Sequence, residues 1–176
     1  MAQATYQIDP AHSGAHFSIR HMMIANVRGE FTKVSGKIVW DPDQPERSSI
    51  EASIDTASIN TREPQRDAHL KSADFLDVEK YPTIDFRSTK VSKTEDAIEV
   101  AGDLTIHGIT RPVVLEVEGP TPEARDPWGN VRIGASATTK IDRTQFGLNW
   151  NAALETGGWL VGHDVKISLE IEALKQ

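Results

Sequence analysis

Apolar and polar positions alternate with a period of two along most of the chain, the pattern of strands with one buried and one wet face. In HFSIRH, Phe17, Ile19 and His21 share one face, and His16, Ser18 and Arg20 share the other. TKVSGKIVW aligns Thr32, Val34, Gly36, Ile38 and Trp40. SIEASIDT aligns Ile50, Ala52, Ile54 and Thr56, and TIDFRS aligns Ile84 with Phe86. The same alternation runs through Ile98–Ile106, Val113–Val117, Ile133–Ile141 and Val165–Ile171. With TYQID at the start, about eight or nine strands are predicted. Turn residues separate them: Asp41-Pro42-Asp43, His107-Gly108 and Gly119-Pro120. Many antiparallel strands at short spacing predict an all-β barrel or sandwich.

One segment has helical spacing instead, near residues 63–72. Thr61 or Asn60 is placed to cap it, Pro64 falls at an allowed early position, and Asp67, Leu70 and Lys71 follow. HMMIAN reads as a short turn after the first histidine strand. No repeat, linker or low-complexity run interrupts residues 1–176, so a single domain is expected.

The inward faces are not uniformly large. Gly36, Ala52, Gly102, Ala135 and Ala137 all fall in the apolar register. Such residues either make room for bulky neighbours or leave a ligand chamber, and a barrel of about eight strands permits both. Trp150 and Trp159 lie in an irregular Gly- and Asn-containing stretch, placed to lid or plug one barrel end.

Composition narrows the function classes. A net charge of −7 argues against a general nucleic-acid binder and supplies no polybasic run for a membrane. No window approaches the roughly 20 apolar residues of a spanning helix, so stable membrane insertion is not expected. With no cysteine there is no disulfide, thiolate metal site or cysteine nucleophile. The N-terminus lacks the charged start and apolar run of a signal peptide. As written the chain reads as soluble and cytoplasmic, and as periplasmic if a cleaved leader precedes it.

Three of the six histidines, His12, His16 and His21, fall within ten positions. On a strand His16 and His21 point to opposite faces, so a shared metal ion is not expected. His21 belongs to the inward face. It reads either as a core residue or as a donor to a ligand's polar head. Arg66 and His69 share a helix face, as a cationic pair near a barrel mouth or as the fastening of a capping helix. Asp67 points elsewhere, as an anchor. His107 and His163 read as structural. No G-x-S-x-G, H-E-x-x-H or P-loop marks an active site, and no enzyme activity or cofactor is expected.

Taken together, these residues resemble the YceI-like family. The most specific segments are INT…RDAHL…ADFLDVEKYP and GDLTIHGITRPV, within a collinear match from about Tyr6 to Ala173. The resemblance implies a lipocalin-like antiparallel β-barrel with a helix near one end. It also implies an apolar interior that binds polyisoprenoid or related amphiphilic lipids, and dimeric members lean the expectation towards a homodimer. Phe17, Ile19 and His21 match the opening motif, Arg66, Asp67 and His69 the RDAHL motif, and Asp142, Arg143 and Phe146 the IDRTQFG motif.

The expected activity is therefore non-catalytic binding of a long-chain isoprenoid or acyl lipid, such as an isoprenoid quinone or prenyl phosphate. The expected lining draws on Phe17, Ile19, His21, Phe31 and Ile54. It continues through Phe86, Leu104, Ile106 and Ala137, with Phe146, Trp150 and Trp159 towards the end. His21, Arg66, His69 and Arg143 are the head-group candidates. The alternatives are an enzyme acting on an isoprenoid-like substrate through His21, and a packed barrel serving as an interaction module.

Overall fold

In the computed structural model, which describes residues 3–155 and 157–176, the alternating segments become the strands of one closed sheet. They are β1 (Ala4–Ile8), β2 (Gly14–His21), β3 (Ala25–Phe31), β4 (Val34–Trp40), β5 (Ser49–Asp55) and β6 (Ile59–Asn60). After the helix α1 (Pro64–Lys71) come β7 (Thr83–Lys93), β8 (Ile98–Ile106), β9 (Ile109–Glu118), β10 (Ala124–Arg125), β11 (Val131–Asp142) and β12 (Val161–Lys175).

These segments make eight staves. β1 and β2 both pair with β12, β3 follows β2 while β4 follows β1, and β6 and β5 continue that order. Three staves are thus pairs of segments broken by a short irregular stretch. Each stave pairs antiparallel with the next in sequence, and β11 against β12 and β12 against β1 close the ring. The result is an up-and-down eight-stranded antiparallel barrel, and closure removes the exposed edges an open sheet would carry.

The breaks have local causes. Asp9 caps a 3-10 turn over Pro10–His12, accepting from the Ala11 N–H at 3.0 Å. Asp55 does the same for Thr56–Ser58. Between β3 and β4, the Thr32 amide donates to both the hydroxyl and the carbonyl of Ser58, and the Lys33 amide donates to the same hydroxyl. The register places these breaks side by side, forming a crease across three staves. The inward set consequently changes from Val27 and Phe31 to Val34 and Ile38, and Thr32 is exposed rather than inward as the alternation predicts.

Glu63, not Thr61 or Asn60, caps α1. Its carboxylate accepts from the amides of Gln65 and Arg66, because Pro64 occupies the first helical position and places the cap one residue before it. Thr61 and Asn60 have other tasks. The Thr61 amide and hydroxyl both donate to the Asp67 carboxylate, and the Asn60 side chain accepts from the Arg62 amide. Asp67 is the anchor its sequence position suggested.

The loop between β9 and β11 folds over the opposite end of the barrel and is fastened from outside. Arg132 on β11 reaches Asp9 at 2.7 Å, Asp126 at 2.7 Å and Glu172 at 3.0 Å. Inside that end, Tyr6, Ile133 and Ala173 are buried together with Ile38 and Trp40 packed against them. The Tyr6 hydroxyl donates to Glu123 at 2.6 Å, and Lys175 pairs with the same carboxylate at 2.8 Å. That end is plugged. The features of a mouth lie at the other end, with α1, the β2–β3 turn and the loop before β12.

Candidate functional site

Alternate residues of the staves face a cavity of about 570 Å³ running along the barrel, within the usual range for ligand sites. Its wall is made by the side chains that period-two spacing put on one face. Phe17, Ile19, His21 and Phe31 line it from β2 and β3, Ile54 from β5 and Phe86 from β7. Leu104, Ile106 and Ala137 line it from β8 and β11, and Trp150 from the loop at the mouth.

The small inward residues divide into two kinds. Gly102 makes room for a neighbour: a Cβ there would lie 2.5 Å from the Phe86 ring and 2.6 Å from the Arg87 carbonyl oxygen. Gly36, with φ +148°, lets the backbone at Glu51 approach to 2.2 Å of where its Cβ would be. Ala52, Ala135 and Ala137 instead line the cavity, and their small size widens it.

Two expected lining residues lie elsewhere. Phe146 is 1 % exposed and packs in the core beside Ile106, Ile141 and Leu148. It sits in a 3-10 turn, Arg143–Phe146, which turns its ring into the wall rather than the chamber. Trp159 is 54 % exposed and stands on the outer side of the loop before β12, where a bridge between Ala153 and Trp159 holds it.

At the mouth, α1 meets the β11–β12 loop through three rings. His69 stands edge-on to Trp150 with centroids 4.7 Å apart and to Phe75 at 5.1 Å, while Phe75 and Trp150 are 5.3 Å apart. The His69 Nε2 is 2.8 Å from Asp74. Arg66 also lines the cavity. Its Nε donates to the Thr61 hydroxyl at 2.8 Å and its Nη2 to the Thr61 carbonyl at 2.7 Å. Its Nη1 has no protein acceptor among the described residues. His21 lines the chamber at the end of β2, its backbone paired with Val161 and Ala25.

Arg143, another head-group candidate, borders the cavity with its guanidinium engaged by the backbone of the mouth loop. It is 3 % exposed, and its guanidinium donates to the carbonyls of Gly162, Leu148, Trp150 and Val161. Burial lowers its pKa from the usual arginine value, and the Asp142 carboxylate opposes that shift. Asp142 itself caps the turn, accepting from the Thr144 amide and hydroxyl. Those hydrogen bonds, the hydroxyl's first, hold its carboxyl below the ordinary range. Arg143 therefore holds the mouth loop in shape.

His12 pairs with Asp9 at 2.8 Å, exposed His16 lies 3.7 Å from Glu30, and the His107 ring packs on Tyr81 at 4.7 Å in a tight turn. Among the described residues no three His, Asp or Glu side chains form a group able to hold a metal ion. The mouth also contains Glu63, Gln65 and Phe75, which helix spacing had not marked as site residues, and the far wall Trp40, which alternation put on the inward face without marking it for the site. Phe75 lies in the irregular ADFL run after α1, where no periodicity assigns a face.

The YceI-like domain model matches residues 6–173. A UPF0312 protein of Pseudomonas putida is 36 % identical over 176 residues, covering 98 % of this chain and 88 % of its relative. The crystal structure of BcnA from Burkholderia cenocepacia has the same fold, with a TM-score of 0.79 and 22 % identity over 94 % of this chain and 98 % of that one. So does a polyisoprenoid binding domain from Saccharophagus degradans implicated in plant cell wall breakdown. Its TM-score is 0.71 at 15 % identity, over 98 % of this chain and 99 % of that one.

Proposed function

The chain belongs to the YceI-like family, and from that premise we propose that its barrel binds one long-chain amphiphilic lipid of the polyisoprenoid class and does not transform it. The observation that carries this reading is the chamber itself. It is apolar along the staves, plugged at one end, and has Arg66, His69, Glu63 and His21 gathered near the other. The fold shared with a polyisoprenoid binding domain supports the same ligand class.

The energetics suit a hydrocarbon chain. Each methylene moved from water contributes about 0.8 kcal/mol, offset by the freedom lost on binding. A chain of some ten carbons inside the barrel thus contributes about 8 kcal/mol before those costs. The head group needs few contacts. Arg66, already oriented by Thr61 and with Nη1 unengaged among the described residues, presents a donor suited to a carbonyl, carboxylate or phosphate oxygen.

Solvent extraction of the purified protein followed by mass spectrometry, beside native mass spectrometry of the intact chain, tests the proposal. A stoichiometric isoprenoid or acyl lipid is expected. A protein that carries no lipid and takes up no added isoprenoid would sink it.

A further inference from the structure

Among the described residues, four of the six exposed large apolar side chains gather at the mouth end of the barrel. Met22, Met23 and Ile24 form the β2–β3 turn, and Trp159 stands on the loop before β12. The two segments touch. The Met22 N–H donates to the Leu160 carbonyl at 2.7 Å, and a Cβ on Gly158 would fall 2.0 Å from the Met23 sulfur. They form one apolar prominence, with Ile24 77 % exposed.

The turn chemistry says that solvent did not select these residues. Met22 and Met23 have φ of 52° and 60°, and the Ile24 N–H donates to the His21 carbonyl. Positive φ at both central positions favours Asn-Gly or Asp-Gly, where the backbone is unstrained and the side chain small or polar. Two methionines there are unfavourable for both the backbone and an aqueous surface. Residues that oppose local preference at an exposed tip point to a role outside folding.

Position and charge identify the occupant. His21 and Leu160, which flank the prominence in sequence, both line the chamber, so the apolar tip adjoins the mouth. Arg20 and Arg28 stand exposed on the strands beside the turn. No acidic residue lies between them, in a chain whose net charge is −7. Apolar side chains with flanking cations form the pattern that partitions into a lipid surface bearing anionic head groups.

We propose that the Met22–Met23–Ile24 turn and Trp159 dock the barrel, mouth first, on an anionic lipid surface. The ligand then passes between bilayer and chamber without crossing water. The docking extends the lipid-chamber reading and rests on it for what is exchanged.

Flotation with phosphatidylcholine–phosphatidylglycerol vesicles free of isoprenoid tests it. The wild-type chain should float with the vesicles. The double variant M22N/M23G, whose residues suit the turn, should bind about tenfold more weakly or less while its Tm stays equal or rises. Arg20→Gln with Arg28→Gln should lose only the phosphatidylglycerol-dependent part. Ala137→Trp, which obstructs the chamber, should still float. Wild-type protein that stays at the bottom of the gradient, or M22N/M23G that floats as the wild type does, overturns the docking. If the wild type ignores vesicles and M22N/M23G instead converts a dimer to a monomer, the prominence is a contact between copies and the lipid proposal falls. A chain that floats but neither carries nor takes up lipid leaves docking standing and removes the chamber reading alone.

Discussion

His69 on α1 and Trp150 on the β11–β12 loop meet across the barrel mouth, ring edge to ring face, with planes 88° apart. The two residues are far apart in sequence and touch only because the barrel closes. Together with Phe75 they tie the helix to the loop at the mouth. An aromatic pair of this kind contributes about 0.5–1.5 kcal/mol beyond its buried area. Trp150→Ala should therefore speed release of a bound lipid by about tenfold. Hydrogen exchange should quicken in residues 148–160 while the β7–β9 amides keep their protection. An unchanged release rate would mean that the lipid leaves by another route.

Arg143 makes an opposite prediction for a residue of head-group type. Its guanidinium serves four backbone carbonyls around the mouth loop. Removing it leaves buried acceptors without partners, at about 1–3 kcal/mol each where water cannot replace it. Arg143→Ala should lower unfolding stability by at least about 3 kcal/mol in denaturant titration. Arg143→Lys should rescue little, since a single ammonium cannot span that fan of acceptors. Loss of lipid affinity with stability intact would instead make it a ligand contact.

The small wall residues can be told apart by substitution. Ala137, opposite Val117 and Leu169, borders open space. Ala137→Trp should leave a folded barrel, at an overpacking cost of about 1–3 kcal/mol, with lipid uptake abolished. Gly102→Ala adds a single methyl group yet should destabilise more sharply, because that methyl would meet the Phe86 ring and the Arg87 carbonyl. Comparing Tm and lipid occupancy for the pair checks the map of the interior. Lipid retention in a folded Ala137→Trp protein would contradict it.

The plugged end should respond to acid through Arg132. Its side-chain hydrogen bonds hold the Asp9 carboxyl, helped by His12, and the Asp126 carboxyl at about 2, below the ordinary 3.8. A depressed carboxylate pKa means the folded state binds fewer protons than the unfolded one. The stabilisation is complete above pH 4 and is lost as pH falls from about 4 to 2. Arg132→Met should lower the denaturation midpoint at neutral pH and flatten its decline across that window. Parallel curves for the two proteins would refute the assignment.

The same end should respond to alkali through Tyr6. Burial, and then its bond to Glu123, push the phenol from 10.0 up to about 12. A raised pKa favours the protonated form in the folded state, so the stabilisation is present below pH 10 and lost between 10 and 12. Tyr6→Phe should be less stable at neutral pH and nearly flat across that alkaline range, measured by thermal unfolding.

The sequence by itself determined which side chains face inward on most strands. Strand geometry makes that local: successive side chains point to opposite faces, so Ile98, Val100, Leu104 and Ile106 had to share a side. The YceI-like resemblance extended this to the barrel and its one helix, and the shared face of Arg66 and His69 was legible from their helical spacing, though not which end of the barrel it meets. Tertiary structure alone decided the rest. Thr32 left the inward set because Ser58, on another stave, takes its amide. Phe146, Trp150 and Trp159 lie in irregular segments, where no period assigns a face and distant contacts send one to the core, one to the mouth and one to the surface. Arg143 was settled by four carbonyls that approach it only when the loop has folded. Whether each small inward residue packs or opens a chamber depends on what stands across the barrel, and local alternation carries no information about that partner.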